Sequence, residues 1–103
     1  MIKNVNYDEF NSILNGGKTA VVDCYADWCG YCKMLEPVLE DLSNEYEIEF
    51  LSINTDDNPE FTREYQIMSL PTLLFIKKGE VVHRTTGFLQ KEQIINVLKD
   101  KIL

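Results

Sequence analysis

Two thiols stand two residues apart in Trp28-Cys29-Gly30-Tyr31-Cys32-Lys33, at the join between a strongly apolar segment and an amphipathic one. That arrangement restricts the chain to a strand running into a helix, with the cysteine pair at the junction. Upstream, Thr19 to Ala26 is mostly apolar without clean alternation, the pattern of a central strand covered on both faces. Downstream, Met34, Leu35, Val38, Leu39, Leu42 and Tyr46 recur at helical spacing from about Cys32. Pro37 falls inside that helix and should kink it. A helix N-terminus is where unpaired backbone N–H groups and the helix dipole best stabilise a thiolate.

Composition narrows the chemistry. The chain has 103 residues, enough for one small domain over 1–103, and is 45% hydrophobic, enough for a core. Its 17 acidic against 10 basic residues give a net charge of −7, which argues against nucleic-acid and anionic-membrane binding. Met1 to Phe10 lack the basic and apolar runs of a secretory signal, and no apolar stretch approaches the roughly 20 residues of a membrane span. A soluble, cytoplasmic monomer is expected. Three cysteines do not make a disulfide scaffold. In a reducing compartment a Cys-x-x-Cys is catalytic or metal-binding more often than structural.

The remaining segments read as alternating strands and helices. Ile2 to Val5 is a short strand. Asn6 with Glu9 forms a capping box before the face Phe10, Ile13 and Leu14, and Gly16-Gly17 ends that helix. Ile48 to Ile53 is a third strand. Asn58-Pro59 starts a short helix that ends near Tyr65. Thr72 to Lys77 and Glu80 to Thr86 form a hairpin about Lys78-Gly79. Gln90 to Ile102 is a final amphipathic helix on Ile94, Ile95, Leu98 and Ile102. The order is β-α-β-α-β-α-β-β-α, an α/β chain without repeats.

In this order and spacing the chain resembles the thioredoxin family over nearly its whole length. The resemblance rests on Val22 to Lys33, Pro37, Asn58-Pro59, Leu70-Pro71-Thr72-Leu73-Leu74-Phe75, Gly79 and Gly87. It implies a thioredoxin fold: a five-stranded mixed sheet in the order 1-3-2-4-5 with four flanking helices, the fourth and fifth strands antiparallel to the rest. It further implies a protein-disulfide reductase that is re-reduced by a thioredoxin reductase. No bound cofactor is expected beyond the redox-active Cys29–Cys32 disulfide.

The resemblance also distributes roles. Cys29, partly exposed before the first helical turn, would attack a target disulfide. Cys32, deeper, would resolve the mixed disulfide. Taken alone, Asp23 is either a solvated acid at a strand end or a buried one with a raised pKa. The resemblance makes it the buried proton acceptor for Cys32. Taken alone, Pro71 reads as a strand-start residue. The resemblance implies a cis bond there, with the Leu70 backbone free to pair with an extended substrate segment. Trp28, Gly30, Tyr31, Met68, Ser69, Thr86, Gly87 and Phe88 would complete a docking face. Cys24 reads as a core thiol, Pro37 as structural and His83 as a surface residue. One histidine and three cysteines on these elements do not suit a zinc site.

Two positions depart from the family. Its usual dipeptide between the cysteines is Gly-Pro, whereas Gly30-Tyr31 restores a backbone N–H that could stabilise the Cys29 thiolate and raise the reduction potential. Ser52 stands where the family often has a lysine, which should leave Asp23 more readily protonated. Other readings are a glutathione-dependent, glutaredoxin-like enzyme, a more oxidising isomerase, or a redox-independent binding subunit. Tyr31 leans toward the first, but Thr86-Gly87-Phe88 does not resemble a paired-glycine glutathione site.

Overall fold

The computed structural model describes all of residues 1–103. Strand β1 (Lys3–Asn4) leads to α1 (Tyr7–Asn15), β2 (Ala20–Tyr25) to α2 (Gly30–Glu45) and β3 (Glu49–Asn54) to α3 (Pro59–Glu64). The hairpin of β4 (Thr72–Lys77) and β5 (Glu80–Thr86) precedes α4 (Lys91–Val97), whose last turn widens to a π-helix over Leu98–Ile102. No helix is long and apolar enough to cross a membrane.

The sheet runs β1-β3-β2-β4-β5. β1, β3 and β2 are parallel, β4 is antiparallel to β2, and β5 is antiparallel to β4. The expectation that β4 and β5 both oppose the rest is corrected: β4 alone does, because the tight hairpin at Lys78-Gly79 turns β5 back into the direction of β2. Gly79 has φ +83°, and a Cβ there would meet the Leu14 carbonyl oxygen at 2.5 Å, so the turn admits little but glycine. One extra residue, Val82, bulges from β5 between the Phe75–His83 and Ile76–Val81 pairs.

Strand alternation sorts the core into two clusters. Ala20, Val22, Cys24, Leu51, Ile53, Leu74 and Ile76 pack with Phe10 of α1 and Phe61 of α3. Val21, Phe50, Leu73 and Phe75 point the other way and meet Leu35, Leu39 and Leu42 of α2 and Ile94, Leu98 and Ile102 of the last helix. The same period of two sends Asp23 and Ser52 toward α2. Met34, expected on the inward stripe of α2, is instead 55% exposed. With Leu35, Leu39 and Leu42 inward, Met34 lies about 100° around the helix from Leu35.

The helix ends follow their local chemistry. Asn6 and Glu9 form both bonds of the capping box, at 2.9 and 3.0 Å. Asn58 occupies the cap position of α3 but makes no capping bond within it. Its Oδ1 accepts from the Tyr7 N–H at 3.0 Å and its Nδ2 donates to the Asn54 carbonyl at 2.9 Å. It therefore ties α1 to the end of β3. His83 is half-buried rather than a free surface residue, its ring 5.8 Å from that of Phe75.

Candidate active site

The C-terminal ends of β2, β3 and β5 and the N-terminal end of β4 meet at one end of the sheet. The chain leaves β2 through Ala26-Asp27-Trp28, and α2 starts at Gly30, two residues before the start expected at Cys32. The reason is that Cys29 itself is the N-cap. Its Sγ accepts from the Cys32 N–H at 3.2 Å, so Gly30 and Tyr31 are already in the first turn. Cys29 and Cys32 form a disulfide, with their Cα atoms 5.3 Å apart. Cys29 is 7% and Cys32 3% exposed. Cys29 is thus the more accessible residue of the pair, though more covered than the sequence suggested, because it closes the helix end rather than projecting from it. The Tyr31 N–H makes no hydrogen bond within the chain.

Asp23 is 4% exposed, and its Oδ1 has no hydrogen-bond partner. Burial first, then the negative charge of Glu36, pushes its pKa from 3.8 up to about 7. It lines a cleft of about 390 Å³ together with Cys32, Lys33, Glu36, Asn4 and Ser52. Ser52 pairs with Asp23 in register but does not hydrogen-bond to it. Its Oγ instead accepts from Asn4 Nδ2 at 2.9 Å, as does the Tyr25 hydroxyl. Cys24, one residue along and therefore on the opposite face, is a buried free thiol whose pKa burial drives upward. No group of histidine, cysteine and acidic residues is arranged to hold a metal ion.

Exposed apolar side chains flank the cysteine pair in the chain, Trp28 at 71% and Tyr31 at 64%, with Met34 at 55% further along α2 and Met68 at 93% in the connection leading to Pro71. Gly30 is exposed, and nothing lies within 4 Å of where a Cβ would stand. The Leu70–Pro71 peptide bond is cis. The Leu70 N–H and carbonyl make no hydrogen bond within the chain, while Ser69 is exposed and its carbonyl accepts from Thr72 Oγ1 at 2.7 Å. Gly87, at φ +86°, donates its N–H to the Pro71 carbonyl at 2.8 Å, and Thr86 pairs with Thr72. These contacts bring the β3–β4 and β5–α4 connections together. Phe88 belongs less to the surface than expected, for it packs half-buried against the α2–α4 cluster.

Asp56, Met34 and Glu36 were not assigned to this region from sequence. Trp28 Nε1 donates to Asp56 Oδ2 at 2.8 Å, which fixes the indole beside the cysteine pair. Asp56 is held in turn because Asn54 Oδ1 accepts from the Asp56 and Asp57 N–H groups, at 2.9 and 3.1 Å. Only the parallel pairing of Tyr25 with Asn54 puts that loop beside Trp28. Met34 lies one helical turn beyond Tyr31, and Glu36 one turn beyond Cys32.

A disulfide closed on a helix N-terminus can take two electrons from a thiol pair as its S–S bond breaks, and can pass them to a target disulfide as that bond re-forms. The chemistry of the centre is thiol–disulfide exchange, carried by the chain's own cysteines without a bound cofactor. The thioredoxin family model matches residues 1–100. A thioredoxin of Staphylococcus epidermidis is 40% identical over 99 residues, covering 94% of each chain. One of Staphylococcus aureus is 41% identical over 92 residues, covering 87% of this chain and 88% of the other. A mutant thioredoxin from Halobacterium salinarum superposes with a TM-score of 0.89 at 28% identity, over 96% of this chain and 88% of that one. The chain belongs to the thioredoxin family and is a thiol–disulfide oxidoreductase.

Proposed function

We propose that the chain is a monomeric, single-domain protein-disulfide reductase of the cytoplasm, returned to its dithiol form by a thioredoxin reductase. The Cys29 thiolate attacks one sulfur of a target disulfide, and the other target sulfur leaves as a thiolate. Cys32 then gives its proton to the Asp23 carboxylate and attacks Cys29 Sγ. The mixed disulfide breaks, the second target thiolate leaves, and the Cys29–Cys32 bond closes. Two electrons pass from the cysteine pair to the target. With a pKa of about 7, Asp23 is present in both protonation states near neutrality, as a group that must take and release a proton requires.

The observation that carries a protein substrate is the apolar collar of Trp28, Tyr31, Met34 and Met68 beside a disulfide. A small thiol needs no such surface, whereas a peptide segment buries it on docking. An extended segment would pair with the free backbone groups of Leu70, beside Gly30, Ser69, Pro71, Thr86 and Gly87. The test is reduction of insulin disulfides. Dithiothreitol should drive it, thioredoxin reductase with NADPH should sustain turnover, and Cys29→Ser should abolish it. Activity surviving in Cys29→Ser sinks the dithiol reading, and turnover sustained by glutathione but not by thioredoxin reductase sinks the assigned electron donor.

A further inference from the structure

We propose that Glu36 is a positioning residue for proton movement: through its carboxylate, at the outer side of the cleft, the proton taken up by Asp23 passes to solvent. The proposal rests on the reading of Asp23 as the acceptor for Cys32 and extends that reading to the path the proton follows.

The geometry singles out Glu36. Asp23 is buried with Oδ1 unpartnered, so nothing in the chain relays its proton directly. The cleft it shares with Cys32 is about 390 Å³, polar, and roomy enough for linking water. Glu36 lies on the Cys32 side of α2, four residues on, with an exposed side chain that lines the cleft. Glu36 makes neither an ion pair nor a hydrogen bond, so its carboxylate is available to accept. The other outer carboxylates are less suited. Glu40 pairs with the amino group of Met1 at 3.6 Å, and it is Glu36, not Asp27, whose charge is felt at Asp23.

The remaining elements offer no substitute. Ile2 and Asn4 line the cleft from the first strand and the residue before it, β3 presents Ser52, and β4 pairs Leu73 with Asp23, all without charge. On β2 the Tyr25 hydroxyl is engaged by Asn4. Lys33 is the one cation lining the cleft, and it makes no ion pair with Glu36. The proton leaves Cys32 Sγ for Asp23, crosses cleft water to Glu36 and enters bulk solvent. The electron pair left on Cys32 forms the bond to Cys29 as the target thiolate departs. Re-reduction runs the same path inward.

The test compares pH–rate profiles of insulin reduction for wild type, Glu36→Gln, Glu36→Asp, Asp27→Asn, Asp23→Asn and the Asp23→Asn/Glu36→Gln double variant. Glu36→Gln should slow the reaction roughly 5-fold, short of the ~10²-fold typical of a direct acid or base. Formate should restore the lost rate, Glu36→Asp should retain it, and Asp27→Asn should leave it unchanged. In the Asp23→Asn background Glu36→Gln should cost nothing further. By NMR, Glu36→Gln should lower the Asp23 titration midpoint by roughly half a pH unit. If Asp23→Asn is slow while Glu36→Gln is not, or is slow but unrescued by formate, the relay is wrong and the Asp23 assignment stands. Equal slowing by Glu36→Gln in both backgrounds also overturns the relay. A wild-type rate and profile in Asp23→Asn removes the parent reading and the relay with it.

Discussion

On the α1–α3 side of the sheet every buried strand position but Thr72 is apolar, and three aromatic rings lock the helices down. The Phe10 and Phe61 rings are 5.0 Å apart, and Tyr65 lies 5.3 and 5.1 Å from them. On the α2–α4 side the same alternation runs from Val21 into Asp23, and from Phe50 into Ser52. The apolar layer there stops two pairs short of the sheet end, before Asp23–Ser52 and Tyr25–Asn54, and leaves a polar cleft beneath Cys32. One face spends its positions on cohesion, while the other gives up core at the end where the disulfide sits. A buried acid without a partner is costly. The sealed face opposite supplies stability against which such a site can persist.

The sharpest way to break this contrast is to damage the sealed face. Phe61 is 0% exposed and touches the rings of Tyr7 and Phe10 on α1 and of Tyr65 at the end of its own helix. Phe61→Ala should cost about 3–5 kcal/mol of stability, measured by urea denaturation. Activity per folded molecule should stay near wild type. A loss of exchange rate out of proportion to the loss of folded protein would show that the two faces are not separable.

The second prediction reverses the sign. The Asp23 pKa is raised on folding, from 3.8 to about 7. The native state therefore holds the extra proton between those values, and stability is lost as pH rises through that window. At roughly 1.4 kcal/mol per pH unit, the rise corresponds to a penalty of up to about 4 kcal/mol for the ionised acid above pH 7. Asp23→Asn should thus stabilise the oxidised protein at alkaline pH, have little effect below pH 4, and flatten the pH dependence between. Parallel pH dependence in variant and wild type would mean that Asp23 does not carry the cost of the open face.

Much of this architecture was legible because local rules and tertiary packing agree. The hairpin strands run as expected, Thr72–Lys77 and Glu80–Thr86, since Lys78-Gly79 can only turn. Asp23 stood out as an acid in an apolar strand. What stayed hidden depends on which side of an element faces what. Met34 fits a helical stripe by spacing, and only the inward set of Leu35, Leu39 and Leu42 turns it outward. Asp56 is an ordinary loop acid until β3 pairs with β2 and brings it to Trp28. Glu36 reads as a solvated charge unless Asp23 is known to lie beneath the same helix. α2 starts earlier than its apolar spacing indicates because a sulfur, rather than a hydroxyl or amide, caps it.

The smallest expected effect lies at the rim of the open face. Tyr31 is 64% exposed, and its N–H is unpaired while Cys29 is tied up in the disulfide. Once the disulfide is reduced, a Cys29 thiolate at the helix N-terminus becomes an acceptor for donors of the first turn, and Tyr31 supplies one that proline would not. Proline fits the first turn of a helix and would break no existing hydrogen bond here. Tyr31→Pro should therefore leave the oxidised fold intact while destabilising the thiolate form. A loss of about 1.4 kcal/mol on that side makes the reduction potential about 30 mV more negative, readable by equilibration against a glutathione redox buffer. A variant as oxidising as wild type, or more so, would show that the dipole and the Cys32 N–H alone poise Cys29. The open face would then owe its redox character to the helix rather than to the residue between the cysteines.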